Sequence, residues 1–507
     1  MHSTALLLVA VVVLIVVLYI SRSPTLRKHG VALKRPPNTL FLVGNGLLFL
    51  QTRHRLFSWF VKCERLFGLE TFQISVPSLP AGVVINDPKN LEYVFKNEGI
   101  FAKGDFFKRR SWDLFGNGII NADGDLWRVQ RKAGLNFLNN ANLKILTEVA
   151  LPQYLKESIK PLREVQTSSL VDLQAIFHEL TTQLMGRMAY GTEMHHSDPF
   201  SEAFDFASGA TGERFQNPLW KLTEIFFGHR FRESVQEVKS FGSEIVRTAV
   251  ANNETKTDHG FASDTSDTLQ SVSGSLINSL LESIGDHQMV ADAALNYLTA
   301  GRDTTAQALT WAFYLMMRHP HVIDTLRTEV EKLAASCLKE STSPSLHGAS
   351  SIDTSIFRPA SLPYVMAVFY ETLRLFPPVP FEIKQCEQAT TLPDGTFLPQ
   401  GSIVFWSIWA MNRSRITWGE GADDFDPDRW LENGNLVSKT AFEFPVFNGG
   451  PRTCLGKKMA EIVAVQTIAT MVLDFDFEPI DDEEREVLNS LTLPMEDGLP
   501  CLVKSRT

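Results

Sequence analysis

The chain has 507 residues, of which 44% are hydrophobic and 21% charged, and its formal net charge is -10. This is the composition of a globular protein large enough to bury a deep pocket, and the acidic balance argues against a nucleic-acid partner. The five cysteines are far apart and lack CxxC spacing. They therefore imply neither a disulfide framework nor a zinc site, and they predict a body in a reducing compartment.

The N-terminal segment predicts a membrane anchor. Ala5–Ile20 is an apolar run of about sixteen residues, or roughly 24 Å as a helix, and with Ser3 and Thr4 it can cross a thin bilayer. No basic region precedes the run and no A-x-A site follows it, which argues against a cleaved signal peptide. Cations follow directly, and by the positive-inside rule they place the remainder in the cytoplasm. We therefore expect a single uncleaved anchor at residues 3–20.

Residues 21–45 are basic and rich in proline. Adjacent prolines at Pro36 and Pro37 fix an extended conformation and end any helix. We predict that 21–45 is a stiff linker and that residues 46–507 form one globular domain.

Trp127 and Arg131 lie four residues apart in a predicted helix. The indole N–H and the guanidinium are donors without acceptor capacity, so the pair suits a carboxylate on a ligand. Taken alone, the same pattern is also ordinary for a protein surface. Its meaning depends on the other motifs.

The rest of the chain is predicted to be mainly α with a minor β part. Helical patterns dominate between about 140 and 335, while Ala389–Arg413 predicts short strands joined by turns. Two stretches, 252–275 and 336–355, are rich in Ser, Thr, Asp and Gly and lack apolar periodicity. They predict exposed loops or disordered insertions.

A long central helix is predicted from Asp286 to Pro320. Its length of about 33 residues corresponds to roughly 50 Å. The sequence AGRDTT in its middle contains weak helix formers, and a threonine hydroxyl there can bond the carbonyl four residues back and bend the helix. One interpretation is an internally satisfied kink. The other is a polar notch in an apolar cavity, where Asp303 and Thr304 relay protons.

A second helix is predicted to begin at Pro363 and end near Pro377. Glu371 and Arg374 are three residues apart and share one face of it. Apolar residues cover nearly the whole circumference, so we expect this ion pair to be buried. A buried pair needs further partners to offset its desolvation, and Arg429 is the candidate third member.

The segment FNGGPRTCLG sets Cys454 among glycines, a proline and an arginine. An isolated cysteine is more often an inert core residue. A glycine-rich loop, however, can turn backbone N–H groups toward sulfur, and such donors together with positive charge stabilise a thiolate. Loops of this kind hold metal-bound thiolates. The five fixed positions of the pattern F-x-x-G-x-R-x-C-x-G are Phe447, Gly450, Arg452, Cys454 and Gly456.

With A-G-x-D-T-T, E-x-x-R and W-x-x-x-R in the same chain, the protein resembles the cytochrome P450 superfamily of haem-thiolate monooxygenases. The resemblance runs from the anchor to the C-terminal LTLPMEDGLP. It implies the cytochrome P450 fold, a helical haem domain with a long central helix, and insertion of one oxygen atom from O2 into a lipophilic substrate. It also implies haem b as cofactor and a place on the endoplasmic reticulum membrane with the catalytic domain in the cytoplasm.

The resemblance assigns the cofactor-binding residues. Cys454 would be the axial thiolate ligand of the haem iron. Phe447 would pack beside the thiolate, and Gly456 belongs to the same loop. The residues expected to bind the haem propionates are Trp127, Arg131, Arg452 and Lys384. Lys384 stands where family members usually have an arginine.

Two further groups of residues match the family. Asp303 and Thr304 match the acid–alcohol pair that delivers protons during oxygen activation. Glu371, Arg374 and Arg429 match a structural triad that shapes the cysteine loop.

The implied partner is an NADPH-dependent flavoprotein reductase, since anchor and haem domain leave no room for a fused flavin module. The resemblance places its docking surface on the cysteine face. Lys457, Lys458, Arg128 and Lys132 are the expected basic contacts, which salt should screen.

Other classes of function fit the sequence less well. GGPRTCLGKK fails the P-loop pattern because five residues separate Gly450 from Gly456 and Lys458 stands where Ser or Thr should bind magnesium. No G-x-S-x-G marks a serine hydrolase. A haem-thiolate protein that only transfers electrons or senses a gas remains an alternative, but it would not need Asp303 and Thr304.

The substrate is predicted from likeness to one branch of the family. Gly212–Leu222, Ala410–Trp430 and Phe447–Ala460 resemble fatty-acid and alkane ω-hydroxylases, which implies terminal hydroxylation of a fatty acid. A sterol or terpenoid is the alternative, because apolar walls suit both. The aromatic residues expected to line the pocket are Phe101, Phe106, Phe107, Trp112 and Phe115.

Overall fold

The computed structural model describes residues 23–76, 79–163, 169–258, 269–340 and 353–506, together with Val12, Ile15 and Val16. The anchor predicted at 3–20 therefore lies outside the described residues except for those three. Within the described ranges, no helix is both long and apolar enough to cross a membrane.

The protein is mainly helical, as predicted. The helices of eight or more residues are Arg53–Phe67, Pro88–Lys96, Gly104–Phe115, Gly124–Phe137, Leu151–Ser158, Leu173–Met185, Pro199–Gln216, Trp220–Phe227, His229–Asp258, Ser275–Ile284, His287–Arg318, Pro320–Glu340, Pro363–Leu375 and Lys457–Asp474. Short helices and single turns connect them. Two π-helical turns, Leu146–Ala150 and Gly186–Tyr190, continue the helices that precede them.

The central helix, His287–Arg318, is continuous and confirms the predicted span. The Asp286 side chain caps it by accepting a hydrogen bond from the N–H of Met289 at 2.9 Å, which satisfies one of the free donors at a helix N-terminus. The next helix begins at Pro320, a residue suited to a first turn. Helices Leu173–Met185 and His229–Asp258 are among those that pack against it, so it is buried almost all round.

The β part consists of small sheets. A five-stranded sheet has the order Phe72–Ile74, Gly82–Val84, Ile403–Ser407, Phe381–Cys386 and Phe101–Ala102. A four-stranded sheet has the order Val31–Ala32, Arg27–Lys28, Thr396–Leu398 and Thr390–Thr391. A three-stranded sheet joins Phe475–Pro479, Pro500–Ser505 and Ser169–Asp172, and Leu431–Glu432 pairs with Asn435–Leu436.

The predicted linker at 21–45 is not a separate linker over its described length. Arg27 and Lys28 pair with Phe397 and Thr396 of the domain. Leu26 is 3% exposed and lies in a core cluster beneath the sheets. The folded domain therefore begins well before residue 46, because Leu26 and Leu33, which flank these short strands, are buried against it.

The polar stretches and the strand region also differ in part from prediction. Helices extend into both polar stretches, to Asp258 and to Glu340, because the residues at the starts of these stretches include straight-chain helix formers such as Glu and Lys.

The strand region predicted at Ala389–Arg413 ends earlier, at Ser407. Ser407 instead caps a short helix, Ile408–Met411, by accepting a hydrogen bond from the Ala410 N–H at 3.2 Å.

Candidate functional site

The cysteine loop, Phe447–Gly456, requires glycine at a specific point. Gly450 has a φ of +61°, and a Cβ there would lie 2.3 Å from the carbonyl oxygen of Phe95. Only glycine fits, because it has no Cβ and accepts positive φ without strain. The loop can therefore approach the helix that carries Phe95, and Cys454 follows four residues later.

Cys454 is an exposed residue, although many protein atoms lie near its thiol. The Cys454 N–H donates to the Phe447 carbonyl at 2.7 Å, which closes the loop around the thiol. Burial raises the pKa of Cys454, while the backbone N–H of Gly456, the charge of Arg131 and the N–H and charge of Lys457 act in the opposite direction. The sulfur thus has backbone donors on one side and an open face on the other. This arrangement fits a metal-bound thiolate.

The helix Gly124–Phe137 brings its two predicted donors to the cysteine loop. Arg131 donates from Nη1 to the carbonyl of Thr453 at 2.9 Å. The guanidinium of Arg452 lies 4.2 Å from the centre of the Trp127 ring. Arg452 is more than 300 residues away from Trp127 and Arg131 in sequence, yet the three side chains form one cluster beside Cys454.

Lys384 extends this basic cluster. It is 4% exposed, and its pKa is lowered to about 7, first by burial and then by the charges of Lys103 and Arg452. Arg452 itself is paired with Glu98 at 2.7 Å and Asp123 at 2.9 Å. The charges of Glu382 and Asp123 act in the opposite direction but do not restore the usual pKa. A buried lysine next to two cations is costly, so carboxylate groups of a ligand would be bound favourably here.

The central helix has an opening at its middle. Ala300 is exposed and Gly301 and Thr304 are partly exposed, whereas the residues around them are buried. These three residues share one face of the helix. Thr304 Oγ1 donates to the Ala300 carbonyl at 2.7 Å, so the hydroxyl is held at this opening and the helix continues without a break.

Asp303 has a different environment from Thr304. It is 3% exposed, and its Oδ1 lies 3.2 Å from Nη1 of Arg302. Burial raises its pKa to about 7; Arg302 lowers it and Asp205 raises it further. Among the described residues no hydrogen bond joins Asp303 to Thr304. The structure therefore places the predicted acid on the Arg302 side and the predicted alcohol at the opening.

Sequence reasoning missed Arg302 as the partner of Asp303, and it missed the other partners of Arg302. Nη1 of Arg302 lies 3.5 Å from Oδ1 of Asp205, and Nη2 of Arg302 contacts Nδ1 of His196 at 3.1 Å. Arg302 stands inside the AGRDTT motif and could have been noticed there. Asp205 and His196 belong to distant segments with no motif of their own.

The predicted triad is assembled, and its central ion pair is buried. Glu371 and Arg374 are both 0% exposed, and Arg374 donates to the carboxylate at 2.7 and 2.8 Å. Arg429 Nε approaches Glu371 Oε1 at 3.4 Å, and Trp430, which sequence reasoning missed, donates to Oε2 at 2.9 Å. Arg374 also donates to the backbone carbonyls of Asn412, Ala422 and Asp424. The network thus has the additional partners that a buried pair requires.

This network is in contact with the cysteine loop through aromatic side chains. The ring of Tyr370, next to Glu371, lies 6.5 Å from the ring of Phe447. Trp430 packs edge-on against Phe444 at 4.8 Å. Displacement of the ion pair would therefore be transmitted to the loop that carries Cys454.

An apolar cavity of about 140 Å³ lies apart from these motifs, and its lining includes no residue of the cysteine loop or the central helix. Phe106 and Phe107 line it, as predicted, but Phe101, Trp112 and Phe115 do not. The lining residues are Phe49, Arg53, Leu56, Phe60, Ile74, Val76, Leu79, Pro80, Gly82, Phe106, Phe107, Gly212, Phe215, Gln216, Phe381, Ile383, Ile403, Phe405 and Leu491. The segment that contributes Leu491 is attached to the central helix, because the next residue, Thr492, accepts a hydrogen bond from Gln307 at 2.9 Å.

The long central helix, the buried E-x-x-R network and the open thiol define a haem-thiolate protein. The family model described as Cytochrome P450 matches residues 35–499. The chain belongs to the cytochrome P450 family, and it is a haem-thiolate monooxygenase that uses haem b, O2 and electrons from a redox partner.

Several curated proteins are similar over most of the chain. Cytochrome P450 86B1 of Arabidopsis thaliana is 32% identical over 450 residues, 85% of this chain and 78% of that protein. Cytochrome P450 94A1 of Vicia sativa is 28% identical over 493 residues, 93% of this chain and 90% of that protein. Cytochrome P450 monooxygenase cyp1 of Mycosarcoma maydis is 30% identical over 496 residues, 92% of this chain and 74% of that protein.

Proposed function

We propose that this monooxygenase hydroxylates the terminal (ω) carbon of a medium or long fatty acid. The observation that supports this substrate is the apolar cavity, whose lining contains a single charged residue, Arg53, among the residues that the structure describes. Aliphatic and aromatic walls suit an apolar chain, and one cation suits one anionic end. A sterol or a neutral terpenoid would use the same walls but has no carboxylate for the cation.

The site residues would divide the work between holding the cofactor and moving protons. Cys454 would ligate the haem iron, and the cluster of Trp127, Arg131, Arg452 and Lys384 would bind its propionates. When bound, the haem supplies the activation of O2. Thr304 Oγ1 would hold a proton at the opening of the central helix.

Asp303 would exchange protons with the interior of the protein, on the side of the central helix where Arg302 lies. Its pKa of about 7 suits proton transfer near neutral pH. Since no direct hydrogen bond joins it to Thr304 among the described residues, the transfer between them would require water.

We further propose an NADPH-dependent flavoprotein reductase as electron donor. Arg128, Lys132 and Lys458 are exposed and Lys457 is partly exposed on the side of the cysteine loop, which suits docking of an acidic partner. The apolar run Ala5–Ile20 supports a single-pass anchor at 3–20 in the endoplasmic reticulum membrane with the domain in the cytoplasm.

Reconstitution tests the proposed function. Full-length protein in lipid vesicles, supplied with NADPH and a flavoprotein reductase, is expected to convert saturated fatty acids into ω-hydroxy acids. A parallel series of sterols and terpenoids is the comparison, and product position is read by mass spectrometry. Product from a sterol but from none of the acids would contradict the substrate class. Turnover without the reductase would contradict the partner.

Thr304→Ala is expected to uncouple electron consumption from product formation. Without the hydroxyl, protons reach oxygen less effectively, so product per NADPH should fall by about tenfold or more while peroxide rises. NADPH consumed, peroxide and product are measured together.

Thr310→Ala is the matched control. Thr310 donates to the Ala306 carbonyl at 2.9 Å, the same bond within the same helix, but it is fully buried. It should therefore leave coupling unchanged. Equal coupling in the Thr304 variant and the parent protein would remove Thr304 from proton delivery.

A further inference from the structure

Arg53 is a buried cation on the wall of the apolar cavity. It is 8% exposed and is the first residue of the helix Arg53–Phe67. The first turn of this helix contains no acidic residue, and the preceding Thr52 makes no side-chain cap. The positive end of the helix dipole therefore adds to the charge of Arg53, and this side of the cavity favours an anion.

The guanidinium of Arg53 has an incomplete set of partners. Of its five N–H donors, Nη1 donates to Asn489 Oδ1 at 3.1 Å, while the buried Nε has no partner among the described residues. No carboxylate of those residues lies within ion-pair distance of it. Aromatic rings approach it, with Phe57 at 5.7 Å and Phe381 at 6.0 Å, and burial lowers its pKa to about 10.

Other buried arginines contrast with Arg53. Arg214 contacts two carboxylates, Arg302 contacts two and Arg374 contacts one. Arg110 has no carboxylate but donates to the carbonyls of Phe106 and Arg214. Arg53 differs from these in having a free donor at the wall of a cavity. Burial of such a cation is costly unless an anion completes it.

Asn489 is held so that its carbonyl oxygen faces Arg53. Its amide nitrogen donates to Glu213 at 3.5 Å on the other side. The segment that carries it is fixed to the protein by a hydrogen bond between Ser490 and Ser208 at 2.9 Å and by the bond from Trp311 of the central helix to Leu493 at 2.8 Å. Asn489 therefore positions the guanidinium and leaves its remaining donors for a ligand.

From this geometry we infer that Arg53, positioned by Asn489, binds the carboxylate of an apolar-chain acid in the cavity. The inference rests on the proposed function and specifies how the substrate is oriented. A planar guanidinium can bind a carboxylate through two N–H groups, and Phe106 and Phe107 would contact the chain. The acid end would be held at Arg53, so the opposite end would be presented for oxidation.

Binding to the purified holoenzyme tests the subsite. Isothermal titration calorimetry with a fatty acid and its methyl ester measures the two affinities separately. Arg53→Gln is expected to weaken binding of the acid by roughly 10- to 100-fold, the loss of a hydrogen bond to a charged group, and to leave the ester unchanged. Arg53→Lys should retain part of the affinity for the acid because it retains the charge.

Asn489→Asp is an independent test that keeps Arg53 in place. The introduced carboxylate would pair with the guanidinium and compete with the ligand, so the acid should bind more weakly and the ester equally well. Haem content serves as the check that each variant is folded.

The outcomes separate the subsite from the proposed function. If wild type binds and hydroxylates the acid but Arg53→Gln binds it equally well, or loses acid and ester alike, the subsite is wrong and the substrate class stands. If wild type binds neither acid nor ester but binds a sterol, both are wrong.

Discussion

Cys454→Ala is expected to abolish the spectrum of a thiolate-ligated haem. In the parent protein, the carbon monoxide complex of the reduced form should show the red-shifted Soret band that a thiolate ligand produces. The variant should lack this band and monooxygenase activity, because alanine offers no ligand and no other cysteine lies in the loop. A difference spectrum and product analysis of the same preparation measure both.

Cys386→Ala is the matched control for this experiment. Cys386 is 0% exposed, its sulfur donates to the Gln388 carbonyl, and burial raises its pKa. It therefore has the environment of an inert core thiol, in contrast to the open sulfur of Cys454. The control should retain the band. Persistence of the same band in Cys454→Ala would show that the thiolate comes from elsewhere.

The sequence predicted those parts of the site whose chemistry demands a local pattern. The cysteine loop needs glycine where positive φ and close approach to Phe95 occur, so its spacing is visible in one chain. The central helix was predicted over nearly its full span because apolar residues surround AGRDTT on both sides. The E-x-x-R pair was recognised because two charges on an otherwise apolar helix require partners.

Features that arise only from tertiary contacts were not predictable. Arg53 and Asn489 are 436 residues apart, and neither belongs to a motif. The strands at 27–28 and 31–32 are too short to show an alternating pattern. Only some of the predicted pocket aromatics line the cavity, because a helix turns its residues to different sides: Trp112 is 48% exposed and Phe115 is packed in the core.

The buried E-x-x-R network is expected to be among the least tolerant parts of the molecule. Arg374→Ala leaves the Glu371 carboxylate without its main counterion in a fully buried site, and the free energy of unfolding should fall by about 3–5 kcal/mol. Arg374→Lys should not rescue it, because an ammonium has three donors and cannot match the planar arrangement that reaches Glu371 and three backbone carbonyls. Haem retention should fall as well, since Tyr370 contacts Phe447 of the cysteine loop and Trp430 packs against Phe444, three residues before the loop.

Thermal unfolding followed by circular dichroism, together with haem content, measures both effects. Arg247→Ala is the matched control, since Arg247 pairs with Glu244 at the same three-residue spacing on the exposed face of a helix and should leave the unfolding transition unchanged. Replacing both Glu371 and Arg374 by leucine separates the role of the ion pair in stability from its role in shaping the cysteine loop. Removing both charges can restore stability. The hydrogen bonds from Trp430 Nε1 to Glu371 and from Arg374 to the backbone carbonyls are still lost. Recovery of stability without haem retention would show that the ion pair shapes the cysteine loop, whereas unchanged stability and haem content in Arg374→Ala would contradict its structural role.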